Sequence, residues 1–146
     1  MKEYKFGNVI GLLQAVDSIK EDHPGYKLAA DESLSLPSSY LDLIRSGKKT
    51  TTIKFGKDAL RLPQMSLPII TKETRQRVGT AYYDKVVIKA RSELTEEDAK
   101  ADGFASLKDF EKVLFESYGD IASEALLAIH HFREADFYPI EEVSEK

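Results

Sequence analysis

The run VGTAYYDKVVIKAR, residues 78–91, constrains the fold of this chain more than any other stretch. Val86, Val87 and Ile88 follow one another, and side chains branched at Cβ lose rotamer freedom in a helix and pack well on a pleated surface. The run therefore predicts a strand. A second segment, Glu124–Phe132 (EALLAIHHF), is a continuous apolar run of strand length. It predicts a buried strand, the last of a closed sheet. Thr50–Phe55 (TTTIKF) is rich in β-branched residues and predicts a third strand. From 56 to 77 the chain holds Gly56, Pro63, Pro68 and many basic residues, which predicts irregular structure with short strands near Leu60–Leu62 and Leu67–Ile70.

Helical periodicity occupies other parts of the chain. Val9, Leu12, Leu13, Val16 and Ile19 share one helical stripe, with Asn8 as N-cap and His23-Pro24-Gly25 as the break. Residues 26–34 read as a connector. Pro37 opens a second helix, striped by Tyr40, Leu41 and Ile44, and Gly47 can stop it in the left-handed conformation. Thr95 to Asp98 forms a capping box for a short helix that Gly103 ends. Ser106 starts another, with Leu107, Phe110, Leu114 and Tyr118 on one face, closed by Gly119. The order is helix, helix, strand, short strands, long strands, two helices, strand. Grouped strands of this kind favour α+β over a parallel α/β fold.

Composition narrows the chemistry. The chain contains no cysteine, which excludes disulfides, zinc–thiolate sites and thiol nucleophiles and fits a reducing compartment. No apolar run approaches the length of a bilayer, and the N-terminal stretch lacks a secretory core, so a cytoplasmic protein without membrane partners is expected. The net charge of −4 conceals an asymmetry. Arg45–Arg91 holds 12 lysines and arginines against 3 acids, whereas Ser92–Lys146 holds 5 against 15. A basic surface facing phosphate on an otherwise acidic domain has this pattern; charges scattered over all faces would give it too.

Three segments together resemble the ASCH family, whose fold is related to PUA RNA-binding domains: LSLPSSYLDLIRSGKKTTTIK, VGTAYYDKVVIKARSELTEEDAKADGF and LLAIHHFR. The resemblance implies a PUA-like mixed β-barrel with flanking helices and a cleft beside GKKTTTIK. It also implies binding of RNA or a nucleoside. The corresponding domain division is a helical extension over 1–32 packed on the domain, an ASCH domain over 33–138 and an acidic tail over 139–146. One branch of the family resembles small amidohydrolases acting on acetylcytidine. Its lysine, its threonine three residues later and its distant glutamate fall on Lys49, Thr52 and Asp102, the last an aspartate one methylene shorter.

Two functional readings follow. In the binding reading, Lys48, Lys49 and Lys54 meet phosphate or base edges and Thr50 and Thr52 donate hydrogen bonds. Tyr82 or Tyr83 stacks a base, and His131 faces the cleft. In the catalytic reading, Lys49, Thr52 and Asp102 remove an acyl group from a modified cytidine. Residues three apart on a regular strand point to opposite faces, so Lys49 and Thr52 converge only if Lys49 lies in the turn before the strand. A ribonuclease using His130 or His131, and a protein-interaction module, are further alternatives; exposure of Lys49 with no pocket beside it would favour the module. Taken alone, GKKTTTIK is a helix stop followed by an edge strand guarded by lysines. Neither a metal nor a cofactor is expected, because adjacent strand histidines cannot chelate together.

Overall fold

In the computed structural model the described residues are 2–25, 33–55 and 66–138. The expected strand near Leu60–Leu62 and the acidic tail lie outside them. The order is β1 (Lys2–Lys5), α1 (Val9–Asp22), β2 (Leu34–Leu36), α2 (Ser38–Arg45), β3 (Thr51–Phe55), β4 (Ser66–Thr71) and β5 (Arg77–Ala90). A 3-10 turn over Arg91–Glu93 leads to α3 (Glu96–Ala101), α4 (Leu107–Tyr118) and β6 (Leu126–Phe137). The fold is α+β, among the described residues a curled half-barrel sheet with four helices.

The two strands richest in β-branched and apolar residues form the centre of the sheet. β5 and β6 pair antiparallel from Gly79↔Phe137 to Ala90↔Leu126. β5 is long enough to carry two short strands end to end on its other edge, β4 along Arg77–Tyr82 and β1 along Lys85–Ile88. β2 pairs parallel to β4, and β3 pairs antiparallel to β6. Among the described residues the order β2-β4-β5-β6-β3 leaves β2 and β3 as the two free ends of the curl. Register shifts between Tyr82 and Lys85 mark a bulge in the long ladder, a device that increases strand twist.

Each face of the central pair is buried under its own helices. Val86, Ile88 and Ala128 pack with Phe6, Ile19, Leu41 and Ile44 on the side of α1 and α2. Val87, Leu127 and Ile129 pack with Ala99, Phe110 and Leu114 on the side of α3 and α4. A strand covered on both faces needs apolar residues in succession, which is why VVI and LLAI do not alternate with polar residues.

Local signals place the helices well. Asn8 Oδ1 accepts from Gly11 N at 2.8 Å, and Thr95 and Asp98 close a reciprocal capping box. Ser106 Oγ accepts from Asp109 N. Three elements differ from expectation. Residues 2–5 form β1, with only Tyr4 facing inward, and so join the sheet rather than preceding it. Residues 34–36 form β2, where a connector and helix start were expected. On α4 only Phe110 and Leu114 of the expected stripe are buried, while Tyr118 is 56% exposed. Both short strands owe their formation to pairing partners distant in sequence, which periodicity in so few residues cannot reveal.

Candidate functional site

Gly47 adopts φ +80° at the end of α2, and the amides of Lys48 and Lys49 both donate to the Leu43 carbonyl. Lys49 therefore stands in the turn before β3, the placement that convergence with Thr52 requires. It bridges to Asp102 at the end of α3, and the Thr50 amide donates to the Ala101 carbonyl at 2.6 Å. Lys49 Nζ donates to Asp102 Oδ1 at 2.9 Å and to the Asp102 carbonyl at 3.0 Å. It also lies 5.2 Å from the centre of the Tyr40 ring. Thr51 Oγ1 donates to the same carboxylate oxygen at 3.3 Å.

Burial pushes the Asp102 carboxyl above its ordinary value, against the pull of Lys49, Thr51 and the Ile53 amide. A helix C-terminus disfavours an anion, and Lys49 offsets that cost. The following residue must be glycine. Gly103 has φ +97°, and an added Cβ would stand 3.0 Å from Leu43 Cδ1 and 3.4 Å from Lys49 Cβ.

Beside this junction lies a cleft of about 190 Å³. Leu36 of β2 and the segment Thr52–Phe55 of β3 both line it, so it occupies the gap between the two free ends of the sheet. Lys49, Asp102 and Lys54 contribute polar groups, and Tyr40, Phe55, Phe104 and Tyr118 contribute aromatic ones. Tyr118 and Phe55 pack ring to ring at 5.0 Å. Thr52 Oγ1 is buried and has no hydrogen-bond partner among the described residues. The backbone of Thr52 is held in place, because its carbonyl accepts from His130 Nδ1 at 3.2 Å.

Lys49, Thr52, Asp102 and Lys54 thus meet at one cleft, and the other expected residues do not line it. Lys48 is exposed and opens onto a separate groove. Thr50 is exposed, its hydroxyl 3.5 Å from the Ala101 carbonyl. Tyr83 is 3% exposed, packed against Phe132 and His130 in the core, so no base can reach its ring. Tyr82 stands beneath Arg133 on the far stretch of β5. His131 pairs with Thr51 and Lys85, and burial together with Lys85 holds it below the usual histidine range. Neither Tyr82 nor Tyr83 lines the cleft.

Tyr40, Phe104, Tyr118 and Thr51 were not singled out as site residues. Alternation in β3 could have marked Thr51, which shares its face with Ile53 and Phe55. Tyr118 carries no such signal, since its spacing from Leu114 and Phe110 is that of a core stripe. Among the described residues no group of three or more His, Asp or Glu could hold a metal ion, and no helix is long and apolar enough to cross a membrane.

Comparison with solved structures supports the architecture. An ASCH domain from Lactobacillus crispatus JV V101 is similar with a TM-score of 0.58 at 16% identity, over 87% of this chain and 92% of that one. A protein from Enterococcus faecalis V583 gives 0.54 at 19% identity, over 87% and 94%. An ASCH protein from Zymomonas mobilis gives 0.50 at 14% identity, over 82% and 92%. No curated protein matches the sequence. The family model of the ASCH domain matches residues 28–135, most of the chain, and the protein belongs to the ASCH domain family.

Proposed function

We propose that this is a cytoplasmic RNA- or nucleoside-binding ASCH protein whose cleft between β2 and β3 receives a single base. One observation carries the reading: an aromatic-lined cleft that is lined in part by Thr52, a residue whose hydroxyl is buried and unpartnered among the described residues. A buried hydroxyl without a partner costs free energy, and a ligand edge that bonds to it removes the cost. Aromatic walls suit a planar ring, and every base has a face to stack. The cleft volume of about 190 Å³ falls below the roughly 300–1,000 Å³ of drug-sized pockets, which suits one base rather than several. Calorimetric titration with the four ribonucleosides and with short single-stranded RNA at low salt tests this. Binding that Thr52→Val weakens is expected, and a flat titration with all of them overturns the reading.

A second reading, hydrolysis of an acylated cytidine, draws on one observation, that Lys49, Thr52 and Asp102 line the same cleft. Against it, Lys49 commits two donors to Asp102, where a base for the Thr52 hydroxyl would have to be neutral. Chromatography of acetylcytidine incubated with wild type and Lys49→Ala decides between the readings. Turnover in wild type alone supports catalysis, and no turnover in either leaves binding. An exposed Lys49 without a pocket would favour the interaction-module alternative; Lys49 is 4% exposed and lines the cleft, which does not support it.

A further inference from the structure

We propose that the ligand of this cleft is phosphorylated, and that its phosphate lies in the adjoining groove between Lys48 and Lys100. The inference rests on the reading of the cleft as a base site. The groove is lined by Leu43, Lys48, Lys100, Gly103, Phe104 and Ala105. Phe104 lines both the cleft and the groove, so the two adjoin and a ligand passing it reaches both. Lys48 comes from the turn after α2 and Lys100 from the last turn of α3. Gly103 brings these segments together, since a Cβ there would press on Leu43 and Lys49.

The charge of the groove follows from where the nearby acid points. Asp102 is turned inward, its carboxylate spent on Lys49 and Thr51. Among the described residues no acidic one lines the groove, and neither Lys48 nor Lys100 has an ion-pair partner. Both lysines are exposed and so accessible to a ligand. Two ammonium groups beside a backbone turn with no Cβ in the way suit a compact tetrahedral anion. An aromatic site for a base with a cationic site beside it describes a nucleotide, either free or as one residue of a single strand.

Titration of the full chain with the four ribonucleosides, their 5′- and 3′-monophosphates, a single-stranded tetranucleotide and inorganic phosphate separates the outcomes. One monophosphate is expected to bind about tenfold more tightly than its nucleoside at low salt, with the gain shrinking as salt rises. In Lys48→Ala/Lys100→Ala the ratio of monophosphate to nucleoside affinity falls toward one; Lys48→Arg/Lys100→Arg retains it. Tighter binding of the tetranucleotide than of the monophosphate identifies a strand as the source, and equal binding identifies a free nucleotide. Nucleosides that bind as tightly as their monophosphates, or an unchanged ratio in the alanine variant, overturn the phosphate groove and leave the base cleft standing. Absence of binding by every probe overturns both.

Discussion

Lys49 Nζ and Asp102 Oδ1 are 2.9 Å apart, with both side chains almost wholly removed from water. The pair ties the approach to β3 to the end of α3 and so fixes one wall of the cleft. Removing one member of a buried pair strands the other charge, at a typical cost of about 3–5 kcal/mol. Lys49→Met and Asp102→Asn are each expected to lose stability on that scale. The double replacement Lys49→Met/Asp102→Asn is expected to recover much of it. Chemical denaturation of the four proteins gives the coupling energy, and additive losses would show that the two charges act independently.

The same pair sets a pH dependence. Lys49 is the largest influence holding the Asp102 carboxyl down against burial. In Lys49→Met the folded carboxyl therefore rises further above its unfolded value. A raised folded value gives stability that is present below the unfolded value and lost as pH climbs through the folded one. Relative to wild type, the variant should become more stable on acidification from about pH 7 to about pH 5. Denaturation midpoints at the two pH values check the sign.

Thr52→Val should separate stability from function. The Thr52 hydroxyl is buried without a partner, so its removal is expected to raise stability by up to about 1 kcal/mol. Nucleoside affinity should fall about tenfold, because the ligand edge loses its partner. Thermal melting and calorimetry on one preparation measure both, and a loss of stability would show that the hydroxyl is satisfied within the fold.

Tyr118 and Tyr83 make a contrasting pair. Tyr118 is 56% exposed at the cleft rim, and Tyr83 is 3% exposed in the core. Tyr118→Ala should change stability by no more than about 0.5 kcal/mol and weaken base binding by about 1–3 kcal/mol. Tyr83→Ala should cost about 3–5 kcal/mol of stability through the cavity it leaves. Unfolding curves and ligand titration distinguish the two roles.

Tyr4 offers an alkaline test. Burial and the hydrogen bond to Asp22 push its phenol up to about 12. A raised folded value means stability intact below the ordinary tyrosine value of about 10, then lost as pH climbs toward the folded value. Tyr4→Phe should flatten that part of the alkaline decline, seen as a smaller drop in melting temperature across the window.

The sequence by itself determined what kind of element most segments form. Caps at Asn8, Thr95 and Ser106 act on amides within three residues, and β-branching at Val86–Ile88 acts on its own backbone, so such signals survive in any fold. The family motifs also carried Lys49, Thr52 and Asp102 to one place, and the left-handed Gly47 put Lys49 in the turn. Only the tertiary structure decided which side chains face the cleft. That choice depends on register and on where the curled sheet fails to close. Thr52↔His130 pairing sends His130 into the core and leaves His131 half-buried, and Tyr83 faces inward beside Ala81 in the core. Tyr118 has the spacing of a core residue, yet it stands at the rim because α4 ends beside the free edge of β3. A side chain's burial is a property of what packs over it, and its neighbours in the chain do not contain that information.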